Sequence, residues 1–139
     1  MFKVLLVDDD RDILEMLAVN FREAGFKVWT AEAGIEALHQ ARRVLPDAIV
    51  LDVLLPDLDG MSVCEILRQQ PSTAAIPVLL LTAMGGQISR LAGFESGATD
   101  YVVKPIRPRD LVRRVLKLIP ANAAPRSTPA GTPWPNGAG

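Results

Sequence analysis

Residues 3–10 read KVLLVDDD, an apolar run that ends in three aspartates. A continuous run of this length suits a strand covered on both faces. The same design recurs as AIVLD at 48–52, VLLLT at 78–82 and YVVK at 101–104. As parallel strands of one sheet, these runs place Asp8, Asp52, Thr82 and Lys104 along one edge, at the strands' carboxyl ends. In open α/β sheets that edge binds ligands where the strand order reverses.

The intervening segments have helical spacing. Residues 11–24 carry Ile13, Leu14, Leu17, Ala18 and Phe21 on one stripe, and Gly25 suits the position just past a helix end. Phe26–Thr30 reads as another strand. Gly34 opens a second helix with Ile35, Leu38, Ala41 and Leu45 inward, and Pro46 marks its end. Met61–Arg68 gives a third, with Val63, Cys64, Ile66 and Leu67. Residues 87–95 give a weaker fourth, diluted by nearby Gly85, Gly86, Gly93 and Gly97. Pro108–Ile119 gives the last, with Leu111, Val112, Val115, Leu116 and Ile119 buried. Five strands alternating with five helices predict a parallel sheet with helices on both faces. Residues 1–119 make up this domain. Residues 120–139 hold five prolines among Ala, Gly, Ser and Thr, and read as a disordered tail or linker.

Bulk composition narrows the function. Of 139 residues, 49% are hydrophobic, enough for a packed core. The net charge of −1, with no long charged block, argues against direct nucleic-acid or membrane binding. Cys64 is the single cysteine, so no intrachain disulfide forms, which fits a cytoplasmic protein. The N-terminal apolar run stops at Asp8, short of a signal peptide. His39 reads as a surface residue, Cys64 and Trp29 as packing residues. A docking role for Trp134 has no partner in the sequence.

The edge residues suggest phosphoryl chemistry. Asp8 and Asp9 follow the first strand, Asp10 caps the first helix, and Asp52 follows the third strand. Converging carboxylates repel unless a cation joins them, and oxygen-only ligands favour Mg²⁺. Asp52 is ionised at neutral pH and needs no general base to act as a nucleophile. Thr82 and Lys104 can then hold phosphoryl oxygens. Lys104 precedes Pro105, a bond that tolerates cis. Taken singly, each residue also has a plain reading, such as helix cap or strand end. Their joint order is the specific signal.

That order resembles the receiver domain of two-component response regulators. The segments are VLLVDDD (4–10), IVLDVLLPDLDG (49–60), VLLLTA (78–83) and GATDYVVKP (97–105). The resemblance implies a flavodoxin-like, CheY-like sheet of order 2-1-3-4-5. It makes Asp52 the phospho-acceptor and Asp9 a direct Mg²⁺ ligand, with Asp8 acting through water and the backbone carbonyl of Leu54 as a further ligand. Thr82 and Lys104 become the signalling threonine and phosphate-binding lysine. Tyr101 becomes a switch aromatic that turns inward as Thr82 moves toward phosphate, rather than a half-buried residue with a wet hydroxyl. The implied donor is a sensor histidine kinase or phosphotransfer protein. Leu54 and Met84, two residues past Asp52 and Thr82, are apolar beside the path of an attacking water, so self-dephosphorylation is expected to be slow.

Arg90, Glu95, Asp100 and Arg114 resemble the ion-pairing set of OmpR/PhoB-type regulators. That implies a homodimer through the face of helix 4, strand 5 and helix 5; the alternative is a solvated basic helix. Arg107, at the start of the last helix, is a poor cap. Two rival functions fit parts of the chain. Asp8-Asp9-Asp10 also resembles the start of haloacid-dehalogenase-type phosphatases, with Asp8 as nucleophile and Asp10 as acid/base. There Asp12 stands where Thr is expected and Asp52 has no role. A flavin module would need a phosphate loop that Asp8–Asp10 would repel.

Overall fold

The computed structural model describes residues 1–129. The chain order is β1 (Lys3–Val7), α1 (Arg11–Glu23), β2 (Lys27–Ala31), α2 (Gly34–Val44) and β3 (Ala48–Leu51). There follow α3 (Gly60–Gln69), β4 (Val78–Thr82), α4 (Gln87–Glu95), β5 (Asp100–Val103) and α5 (Pro108–Leu118). The five strands pair in parallel in the order β2-β1-β3-β4-β5. The order reverses between β1 and β3, so the site edge is a switch point.

Alternation along the strands splits the core into two layers. Val4 and Leu6 face Leu14, Leu17 and Phe21 of α1 and Leu111 and Val115 of α5. Leu5 and Val7 face Ala37 and Ala41 of α2, Val63 and Leu67 of α3, and Tyr101. Because both faces are covered, β1, β3 and β4 are buried throughout, whereas the edge strands β2 and β5 are only partly so.

Local signals set the helix ends. The Asp10 carboxylate accepts from the N–H groups of Asp12 and Ile13, capping α1. Gly25, at φ +96°, supplies the left-handed residue beyond its end. Asp59 accepts from the Ser62 N–H and caps α3, which therefore begins at Gly60, one residue before its expected start. Arg107 gives α5 no side-chain cap, and Pro108 fills the first helical position, where a missing N–H costs nothing.

Two expected core residues lie outside. Ile35 is exposed, because α2 buries Gly34, Ala37, Ala41 and Val44 instead. The small Gly34 lets the start of the helix sit close to the loop between β3 and α3: a Cβ there would come 2.7 Å from the Leu58 carbonyl oxygen. Leu116 is also exposed, since α5 turns Leu111, Val112 and Val115 inward. His39 is exposed and Cys64 buried, as expected. None of the helices among the described residues is long and apolar enough to cross a membrane. Trp134 lies outside the described residues.

Candidate functional site

β1 and β3 are neighbours with Val7 level with Leu51, so Asp8 and Asp52 emerge side by side. Both are buried, whereas Asp9 is exposed. One carboxylate oxygen from each of Asp8, Asp9 and Asp52 falls within 4.8 Å of the others. Lys104, just past β5, reaches across: its Nζ lies 2.9 Å from Asp8 Oδ2 and 3.1 Å from Asp52 Oδ2. The Lys104–Pro105 peptide is cis.

The second oxygen of each buried carboxylate is also engaged. Asp8 Oδ1 accepts from the Asp10 N–H at 3.0 Å, and Asp52 Oδ1 accepts from the Leu54 N–H at 3.1 Å. Burial raises the Asp52 carboxyl above its ordinary range, and the neighbouring Asp8 charge adds to this. The Leu54 N–H and Lys104 pull in the other direction without reversing it. Lys104 also loses water, which opposes its charge, but its bonds to Asp8 and Asp52 prevail and hold the ammonium above its usual range. The asymmetry has a simple source: the lysine meets two anions, whereas Asp52 meets one cation and one anion.

The loop after β3 is pinned at several points. Gly60 donates its N–H to the Val53 carbonyl at 2.8 Å. It packs so closely on the Asp52 backbone that a Cβ there would collide with the Asp52 carbonyl. Asp57 accepts from the N–H groups of Gly34 and Ile35 at 2.7 and 3.0 Å, capping α2 from a distance. Its carboxyl is held below the ordinary range by those backbone donors. Sequence reading missed this role. The signal was Ala33, the N-cap of α2, which has no side-chain acceptor.

Thr82 ends β4 and is fully buried. Leu51 is level with Leu80, so Thr82 stands one residue beyond the level of Asp52. Its Oγ1 accepts from the Met84 N–H at 3.2 Å. Tyr101 points inward and is fully buried, and its hydroxyl donates to the Met84 carbonyl at 2.5 Å. The half-wet alternative for Tyr101 is therefore wrong. Thr82 and Tyr101 grip the two polar groups of one peptide-bearing residue, Met84, a link the sequence did not show.

Three carboxylates face one ammonium, and all the donors are oxygens. This set fits a divalent hard cation such as Mg²⁺, whose charge would offset the excess of anions.

These features define a doubly wound domain with an acidic, lysine-closed pocket at its switch point. The chain belongs to the response regulator receiver domain family, which matches residues 4–116. It is 44% identical over 127 residues to the alkaline phosphatase synthesis transcriptional regulatory protein PhoP of Bacillus subtilis, covering 90% of this chain and 52% of that one. It is 41% identical to the DNA-binding dual master transcriptional regulator RpaA of Synechocystis, covering 84% of this chain and 48% of that one. The chain thus spans about half the length of these curated relatives. Among solved structures, a putative response regulator from Chloroflexus aurantiacus shares 47% identity at a TM-score of 0.80, with coverage of 85% and 97%. The Vibrio cholerae chemotaxis protein CheY4 shares 34% at 0.81, with coverage of 85% and 98%.

Proposed function

We propose that this receiver accepts a phosphoryl group on Asp52 and passes the signal on through the face of α4, β5 and α5. The observation that carries the reading is Lys104 Nζ held between Asp8 and Asp52 at the sheet's switch point. An Asp52 oxygen attacks phosphorus of a phosphohistidine on a sensor histidine kinase or phosphotransfer protein. The P–N bond breaks, and the imidazole leaves with its electron pair and takes up a proton. Burial, which makes the Asp52 carboxylate more basic, also makes it a better nucleophile. Lys104 and Thr82 are placed to take the phosphoryl oxygens, and Asp8 orients Lys104.

Asp8, Asp9, Asp52 and the Leu54 carbonyl would hold Mg²⁺, which when bound supplies charge neutralisation at the transferring group. The chain acts as a phospho-acceptor switch in the cytoplasm, assisting its own phosphorylation and dephosphorylation rather than turning over a substrate. The phosphatase alternative is weakened by Asp10: its carboxylate is already bonded to the backbone of α1.

Incubation with acetyl phosphate and Mg²⁺, followed by intact mass and site mapping, tests the reading. One phosphate that disappears in Asp52→Ala supports it; phosphate on Asp8 sinks it.

The signalling face also offers a homodimer surface. Ile88, Leu91, Phe94, Val103 and Leu116 are exposed there. Arg114 pairs with Asp100 within the chain at 2.8 Å, and Arg90 bonds the Tyr101 carbonyl. These bonds order the polar rim of an apolar patch that a second copy would cover. Light scattering on the beryllofluoride-bound protein should show a dimer; a monomer would refute this part. The segment after α5 takes no part in this face: its Arg126 N–H bonds Asp47, at the opposite edge of the sheet.

A further inference from the structure

α4 is a poor helix, yet it keeps a glycine in its interior. Gly93 is the only residue of α4 that is buried. A helix interior position favours alanine over glycine by ~5-fold in equilibrium constant, so Gly93 needs a reason. The structure supplies one. A Cβ at Gly93 would lie 2.5 Å from Tyr101 Cδ2 and 2.9 Å from Cε2, and 3.2 Å from Leu80 Cδ1. Leu80 and Tyr101 are cross-strand partners of β4 and β5. The tyrosine ring therefore occupies the space a side chain at 93 would fill.

From here a continuous chain of contacts leads to the pocket. The ring seated on Gly93 presents its hydroxyl to the Met84 carbonyl, and the Met84 N–H bonds Thr82 Oγ1. Arg90, one turn before Gly93 on α4, bonds the Tyr101 carbonyl at 2.9 Å and fixes the strand beside the helix. We infer that Gly93 is a positioning residue for the phosphoryl site: its missing side chain makes the recess that holds Tyr101 inward, and through Met84 sets the Thr82 hydroxyl. The functional half of this inference rests on the reading of Thr82 as a phosphate-binding group; the seating of Tyr101 does not.

Four proteins test it: wild type, Gly93→Ala, Tyr101→Ala and the double variant, each unfolded in urea. With the ring present, Gly93→Ala should raise the unfolding constant. With the ring removed, the same change should lower it by ~5-fold, the ordinary helix gain. Tyr101 is the only tyrosine, so fluorotyrosine labelling gives one tyrosine ¹⁹F resonance. In Gly93→Ala that resonance should move toward its solvent-exposed position, and acetyl phosphate labelling of Asp52 should slow.

Equal stabilisation by Gly93→Ala in both backgrounds, with an unmoved resonance, would overturn the inference. So would failure of both Gly93→Ala and the double variant to fold, because the conflict would then lie with something other than the ring. Folding of the double variant alone would support it. Absence of any phosphate on wild-type Asp52 would refute the receiver reading without touching the stability cycle.

Discussion

At the scale of single residues, Asp52 is held in an environment that opposes its charge. Burial dominates, Asp8 adds to it, and Lys104 only partly compensates. A carboxyl whose folded pKa is raised binds its proton more tightly folded than unfolded, so ionising it lowers stability. That loss is absent below the ordinary aspartate value of ~3.9 and grows as pH rises through the raised one. Asp52→Asn should therefore raise the urea midpoint of the metal-free protein at neutral pH, and the gain should shrink as pH falls toward that lower limit. A gain that grew on acidification would contradict the assignment. Lys104 has the opposite dependence. Its raised pKa means that its contribution is fully present below the ordinary lysine value of ~10.4 and is lost as pH rises through the folded one. Two exposed apolar side chains bear on the next step. Leu54 and Met84 are exposed and donate their N–H groups to Asp52 Oδ1 and Thr82 Oγ1, positions from which a polar side chain could orient a water. Leu54→Asn should shorten the lifetime of phosphorylated protein, read by loss of the phosphate mass with time. An unchanged lifetime would remove Leu54 from the water path.

At the scale of elements, the sequence revealed what depends on near neighbours. Apolar runs gave β1 and β3 at their observed bounds, and the polar residues at the strand ends predict the grouping in which Asp8, Asp52 and Lys104 meet. What failed depends on partners far along the chain. Ile35 looked like a core residue, but α2 meets the β3–α3 loop through Gly34 and turns Ile35 outward. The inward orientation of Tyr101 came from the family resemblance alone, since it rests on a recess made by Gly93 on another element that nothing near Tyr101 in the sequence specifies. Asp57 caps a helix that starts 23 positions earlier, and the local sequence shows only the gap it fills, Ala33 with no side-chain acceptor, and not the residue that fills it. The cap makes a specific prediction. Asp57→Ala removes the acceptor for two N–H groups of α2, so amide exchange at Gly34 and Ile35 should accelerate while the C-terminal turn of α2 keeps its protection. Asp10→Ala provides the comparison: it removes the local cap of α1, should cost ~1 kcal/mol, and should leave α2 untouched. Uniform acceleration along α2 in Asp57→Ala would mean global loosening rather than loss of a cap.

At the scale of the whole molecule, the candidate phosphoryl site lies at one edge of the sheet, and the opposite edge has a structural network of its own. There Asp47 is buried and accepts from the Lys3 N–H at 2.8 Å with one oxygen and from the Arg126 N–H at 2.8 Å with the other. Lys3 Nζ donates to the Val44 carbonyl at 2.6 Å and to Thr128 Oγ1 at 3.1 Å. Ala123 packs against the core layer under α1 and α5. The proline-rich segment after α5 thus has real partners as far as residue 128, although its composition alone gave no reason to expect them. Composition reports how much apolar surface a segment can bury, and it does not register one buried carboxylate that accepts two backbone N–H groups. Removing that acceptor should release the segment. In Asp47→Ala the Lys3 amide is left buried without its carboxylate, a loss of ~1–3 kcal/mol, and Arg126 loses its anchor. Trypsin should then cut after Arg126 faster than in wild type under conditions where the rest of the domain resists. Equal cutting rates in the two proteins would show that Asp47 does not hold the segment, and that packing around Ala123 carries the contact instead.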